Sequence, residues 1–293
     1  MKHGGGYNVK LITAGIFFAV LWASASAATK IALQSAQPFV IAVTRFFIAA
    51  IIMLFISHTL LKQRMPQGRE WKQIAIYGLL NISIYLGLYV IGMMYVSAGL
   101  GTLSVGTNPV LISLIAALWL KQPVKKATVI SLILCTAGIV VAAYPLLKGS
   151  YATPGGILIL FISMLSYSAG AVYFSNKQWN DLHILVINGW QTLFGGVFLL
   201  PFLFAFYDAG KNVYDSKAIG GMLWLAIPVS IGAVQLWLYL LKDNPVKASF
   251  WLFLCPVFGF AIAAILLKEP LSLFTLAGVA LVIAGLYIIQ KKK

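Results

Sequence analysis

Residues 256–289 read PVFGFAIAAILLKEPLSLFTLAGVALVIAGLYII, and residues 109–142 read PVLISLIAALWLKQPVKKATVISLILCTAGIVVA. The two stretches align without a gap at a constant offset of 147, with identities at Pro109/Pro256, Ile115/Ile262, Lys121/Lys268, Pro123/Pro270, Thr128/Thr275 and Gly138/Gly285. Each is an apolar run, a Lys-x-Pro turn and a second apolar run. The offset is half of the 293-residue chain, so the sequence reads as two tandem halves, 1–147 and 148–293. Duplication of this kind in an apolar chain points to a pathway lined by both halves.

Apolar residues make up 61% of the chain and charged residues 9%, with a mean hydropathy of +0.95. A soluble domain carries about 25% charged residues, so this is an integral membrane protein. Ten apolar runs of spanning length fall at about 11–29, 38–60, 72–95, 98–120, 127–146, 155–175, 184–206, 219–241, 247–267 and 271–289. The expected fold is all-α, ten transmembrane helices as a five-plus-five repeat. Five is odd, so the second half enters the membrane inverted. The first run, with AVLWASASAA, resembles a signal peptide. We read it as a retained helix, because the repeat needs a counterpart for helix 6.

The formal charge of +15 sorts by topology. With the N-terminus inside, 15 of the 21 Lys and Arg fall in inner segments, five fall outside, and Arg45 lies within a span. This bias follows the positive-inside rule and predicts cytoplasmic termini and no nucleic-acid partner. The two cysteines, Cys135 and Cys255, lie in predicted spans and read as small core residues. With three scattered histidines, neither a metal site nor a cofactor site assembles.

Helix 1 carries Gly15, Trp22, Ser24, Ser26 and Thr29, which serve either as a packing seam or as pore lining. Arg45 in helix 2 costs roughly 2.5–3.5 kcal/mol to insert at mid-membrane, so it faces protein or water. It either anchors carbonyls or meets an anionic group of a solute. Gln191 occupies the matching position in the second half, which disfavours an anion site shared by both halves. Asn81, Tyr85 and Tyr89 form one stripe on helix 3. Pro228, Gly232, Gln235 and Tyr239 form one on helix 8. Both suit a cavity wall. Helix 4 breaks near Ser104, Asn108 and Pro109, and Pro256 sits at the matching point of helix 9, where Trp251 and Cys255 replace Ser104 and Asn108. Paired breaks in two halves point to a transport site. Tyr167 on helix 6 is the approximate counterpart of Trp22. The candidate binding set is Trp22, Arg45, Asn81, Tyr85, Tyr89, Ser104, Asn108, Tyr167, Gln191, Gln235 and Trp251, with Pro109 and Pro256 as helix kinks.

All six acids, Glu70, Asp181, Asp208, Asp215, Asp243 and Glu269, lie in loops or at helix ends. Ion-coupled carriers commonly use a carboxylate within the membrane, and none is available. Glu269 is expected to complement the N-terminus of helix 10.

The closing segment 256–289, with LWASASAATKIAL in helix 1, PFVIAVTRFFIAA in helix 2 and GTLSVGTNPVLISLIAALWLKQP in helix 4, resembles EamA-type permeases of the drug/metabolite transporter superfamily. The resemblance covers essentially the full chain. It implies a cavity built from helices 1–4 and 6–9, with helices 5 and 10 peripheral, and carriage of metabolites such as amino acids, often as export. It carries Arg45, Pro109, Pro256 and Glu269 onto family positions. Gln122 departs from the acid common in the first-half turn.

The sequence therefore predicts a carrier of small polar metabolites, with no enzyme activity, in a bacterial inner membrane. Its expected partners are the metabolite, the bilayer and a second copy of the chain through helices 5 and 10. The alternatives are a non-transporting subunit or a carrier of another solute class. A water-filled hollow halfway through the membrane is expected.

Overall fold

A computed structural model describes residues 9–121, 126–148, 153–242, 244–269 and 271–291. Gln122, Pro123, Asp243 and Pro270, and the side chains of Thr128 and Cys135, lie outside the described residues. The chain forms helical rods: α1 (Val9–Ala32), α2 (Pro38–Leu60), α3 (Arg69–Gly92), α4 (Ala98–Trp119), α5 (Lys126–Lys148), α6 (Pro154–Ser175), α7 (Ile184–Phe206), α8 (Ser216–Leu241), α9 (Pro245–Leu267) and α10 (Leu273–Lys291). Eight of them, α1–α4 and α6–α9, are long and apolar enough to cross a bilayer, and no strand occurs among the described residues. The shorter apolar stretches Val129–Gly138 and Leu273–Gly285 lie in α5 and α10. Helix is the solution lipid imposes, because backbone polar groups there find no water.

Local chemistry sets where the rods begin. Ser97 Oγ accepts from Leu100 N at α4, and Thr153 Oγ1 accepts from Gly156 N ahead of Pro154 at α6. Asp215 caps α8 and Asn244 caps α9 ahead of Pro245. These are favoured cap residues, with proline in the first turn where no donor is lost. Four rods are interrupted inside. A π turn occupies Leu79–Ile84 in α3 and another Leu225–Ala233 in α8. Between Val105 and Asn108 a turn separates the two segments of α4, and a 3₁₀ turn over Phe250–Phe253 precedes the main segment of α9. Pro109 and Pro256, both buried, each follow such a break.

The most extensive contact is α5 with α10, and α2 packs closely on α7. Around them α1 packs on α9 and α8, α6 packs on α4 and α3, α2 meets α8, α3 meets α7, and α4 meets α9. Replacing α1–α5 by α6–α10 in order turns this set of partners into itself. Small residues permit the closest crossings. A Cβ on Gly78 of α3 would sit 2.6 Å from the Gln191 carbonyl of α7, and one on Gly195 of α7 would overlap Ile82. The core runs along the middle of α1–α4 and α6–α9, while α5 and α10 present Ile133, Val140, Leu276 and Ile283 outward.

Candidate functional site: an aromatic plug beneath a vestibule

Where the two halves converge, the interior is filled by rings. Tyr167 of α6 is fully buried, with ring centroids at 4.7 Å from Tyr85 of α3, 5.5 Å from Trp237 of α8 and 5.9 Å from Trp22 of α1. Trp22 stacks on Tyr85 at 6.4 Å, and Phe18 stacks on Trp237 at 5.1 Å. Four rods contribute to one cluster. Each such ring pair is worth roughly 0.5–1.5 kcal/mol beyond its buried area. The water-filled hollow expected from the sequence is occupied here by this plug, because long aromatic side chains reach across the space that the helix axes leave open.

Polar groups surround the plug. Tyr89 shares a 2.6 Å hydrogen bond with Ser26, whose hydroxyl also accepts from Thr102 at 2.8 Å. Asn81 donates to Gln191 Oε1 at 3.3 Å, Gln191 donates to Asn188 at 3.1 Å, and Asn188 donates to the Ser230 carbonyl at 3.1 Å. This amide chain ties α3 to α7 and α8. Asn108 is fully buried, donating to Met164 Sδ and accepting from Ser168. Arg45 is 6% exposed and lies over the Phe46 ring, with its guanidinium carbon 4.6 Å from the centroid. Several buried polar atoms have no partner among the described residues: Arg45 Nε, Tyr77 Oη, Asn81 Oδ1, Tyr167 Oη, Gln235 Oε1 and Trp237 Nε1. In lipid such atoms are costly.

The two ends of the molecule differ. At one end, the α1–α2, α3–α4, α7–α8 and α9–α10 connections surround a vestibule of about 720 Å³ lined by Lys30, Gln34, Gln37, Met94, Lys211 and Glu269. Glu269 accepts from Ala98 N at 2.8 Å and Gly99 N at 3.0 Å. It therefore caps α4 rather than α10, which corrects the sequence expectation. The start of α10 is served by Ser272, which accepts from Thr275 N. The rim is tied by Gln37 to Asn212 and Phe206, and by Ser35 to Asp215. Hydrogen bonds from Lys211 and Gly210 hold Asp208 below the usual carboxylate range, and those from Ala218 and Ser35 do the same for Asp215.

At the opposite end, Arg64 of the α2–α3 connection makes a bidentate pair with Glu70, 2.8 Å on each arm, and also donates to the Asn180 carbonyl of the α6–α7 connection. The Glu70 hydrogen bond raises the Arg64 guanidinium above its ordinary range. Above this clasp the interior is packed by Tyr77, Phe174 and Trp179, in contact at 5.2 and 5.0 Å.

Of the residues the sequence singled out, Trp22, Tyr85 and Tyr167 form the plug, with Arg45 and Tyr89 beside it, and Asn81 and Gln191 meet in the amide chain. Ser104 stands apart, donating locally to the Gly101 carbonyl at 2.7 Å. Trp251 also stands apart, its ring lying against Gly15, where no Cβ would fit. The proposed α8 stripe is corrected. Tyr239 is 43% exposed on the outer surface, Gln235 is half-buried, and Trp237 is the α8 residue in the plug. The sequence reading also missed Gln73 and Tyr77, whose buried Oε1 and Oη lack partners. They extend the α3 stripe at the same four-residue spacing, Gln73, Tyr77, Asn81, Tyr85 and Tyr89. That spacing was available as a signal.

Comparison with known proteins fits this architecture. An uncharacterized transporter of Archaeoglobus fulgidus is 28% identical over 93% of this chain and 95% of its own length. Protein PecM of Dickeya dadantii is 26% identical over 96% of this chain and 93% of its own. A protein crystal structure superposes with a TM-score of 0.76 at 18% identity, covering 97% of this chain and 98% of that one, which shows a shared fold. The EamA-like transporter family matches residues 9–144 and 154–290, and the chain belongs to that family of multi-pass membrane transporters.

Proposed function

We propose that this transporter is a secondary carrier that moves small polar metabolites, amino acids or related compounds, out of the cell by alternating access. The observation that carries the reading is one-sided access. A vestibule leads down to a plug where rods of both halves converge, and the far end is held shut by the Arg64–Glu70–Asn180 clasp. The partner set that maps onto itself when the halves are exchanged supports an inverted repeat of 1–147 and 148–293, with ten crossings that include α5 and α10. Lys62, Arg64, Arg69 and Lys72 cluster at the clasp end, which supports placing that end and both termini in the cytoplasm of a bacterial inner-membrane protein. The state described is then outward-facing. Outward apolar surfaces on α5 and α10 support a homodimer contact there. The solute route runs past Trp22, Tyr85, Tyr89, Tyr167, Arg45, Asn81, Asn108, Gln191 and Gln235, with Ser104, Trp251, Pro109 and Pro256 shaping the rods around it. The reading is tested by reconstituting the protein in liposomes and following uptake of a panel of labelled amino acids and related metabolites. Flux above empty liposomes is expected, and flux of no amphiphilic solute would count against it.

A further inference from the structure

Three basic side chains, Arg64 exposed, Lys30 half-buried and Arg45 buried, illustrate how the chain treats positive charge. Arg64 receives a bidentate carboxylate and a carbonyl. Lys30, at the vestibule floor, donates to the Met93 carbonyl at 2.8 Å and faces Glu269. Arg45, in the middle of α2 and only 6% exposed, has neither. Its Nε has no hydrogen-bond partner, and no ion pair reaches it among the described residues. A guanidinium that anchored neighbouring carbonyls would spend its donors on them, and that reading of Arg45 fails at Nε.

An unpaired cation held away from water is unfavourable unless an anion arrives. Arg45 is placed to receive one. Its rod runs beside the Tyr85–Gly92 segment of α3, and the groups it faces are the phenols of Tyr85 and Tyr89, which can donate hydrogen bonds to an incoming oxygen. Five fixed donors in a planar fork match a carboxylate bidentately. The matching position in the second half offers no duplicate, since both ends of the Gln191 amide are engaged by Asn81 and Asn188.

We infer that Arg45 anchors an anionic group of the transported solute, so substrates carry a carboxylate or an equivalent planar anion, while uncharged and purely cationic analogues are rejected. The inference rests on the carrier reading given above and narrows it. A solute neutralises Arg45 as it binds, and the aromatic faces of Trp22 and Tyr85 are left for its apolar body.

The test measures uptake into proteoliposomes for a panel of amino acids and simple carboxylic acids, each beside its own amide and the corresponding amine. Acids are expected to enter at least tenfold faster than their amides and amines. Arg45→Gln should lower acid uptake at least tenfold and bring acid and amide within about threefold of each other, with Arg45→Lys intermediate. Transport of amides or amines as fast as their acids overturns the inference while leaving the carrier reading intact, as does acid transport unchanged in Arg45→Gln. Uptake of no compound removes the carrier reading and the inference together. The acid, amide and amine comparison is made on the unaltered protein, so it decides the matter even where Arg45→Gln fails to fold.

Discussion

The two ends of the molecule are built from matching connections of a duplicated chain, yet one is a bowl and the other a clasp. At the vestibule end, contacts run around the rim. Gln37 reaches Asn212, Ser35 reaches Asp215, and Glu269 holds α4, so the loops are ordered without meeting across the centre. At the clasp end Arg64 crosses from the α2–α3 connection to the α6–α7 connection, and rings pack on its interior side. Access is therefore decided by the direction in which loop contacts run. Two halves that differ in sequence can hold one end open and the other shut within one fold, and a carrier needs two states that differ in this way.

The largest expected effect comes from removing what separates the ends. Trp237→Ala takes a fully buried indole out of the plug and should cost about 3–5 kcal/mol of stability, read from thermal unfolding in detergent. Cys255, buried with no exposed surface, becomes the reporter. In a Cys135→Ser background it should go from inert to reactive towards a small maleimide, and continued inertness would show that the plug is not the barrier.

Opening the clasp comes next. Glu70→Gln removes the charge from the bidentate pair and an oxygen that Gln67 N uses. A reporter at Gln73→Cys should then label several-fold faster, while one at Gln34→Cys stays unchanged. Equal changes at both ends would remove the distinction between them. Glu269→Gln acts on the rim. It takes an anion from two backbone donors of α4 and should cost about 1 kcal/mol, with faster hydrogen exchange at Ala98 and Gly99. Exchange unchanged at both amides would assign the cap to Ser97 alone.

Acidification is the mildest perturbation. Asp208 and Asp215 titrate below their ordinary value of 3.8 in the fold. Their contribution is complete above that value and is lost only as pH falls through the lowered ones. Glu70, held below its ordinary 4.5 by the Arg64 hydrogen bond, joins them from a slightly higher pH, so stability should be flat down to about pH 5 and then fall, with Asp215→Asn reducing the drop. A fall beginning near neutrality would point to other groups.

Much of this was legible from residues. Lipid admits few backbone solutions, so apolar runs declare helices directly, and the Lys-x-Pro repeat at 109–142 and 256–289 declares the duplication. The stripe Asn81, Tyr85 and Tyr89 marked the face of α3 that is buried. Trp237 was hidden because neighbouring Gln235 and Tyr239 made a more polar stripe, and polarity does not report which face of a rod turns inward once a π turn shifts the register. Glu269 was misassigned because a carboxylate at a helix start normally serves its own helix, and only the tertiary crossing brings the α4 amides closer. The plug itself arises from side-chain reach, which hydropathy does not encode.

The π turn at Leu79–Ile84 has a geometric corollary. Residues four apart overshoot a straight α-helical face by about 40° at every step, so Gln73 through Tyr89 would wind around to opposite sides of an unbroken rod. A π turn takes about one more residue per revolution and rewinds the overshoot at mid-length, keeping the ladder on one meridian. Excising a single residue from that stretch would straighten the rod and swing Gln73 and Tyr77 by about 100° away from Tyr85 and Tyr89. The lower rungs would then point at a neighbouring helix or at lipid, and the ladder would end halfway through the membrane.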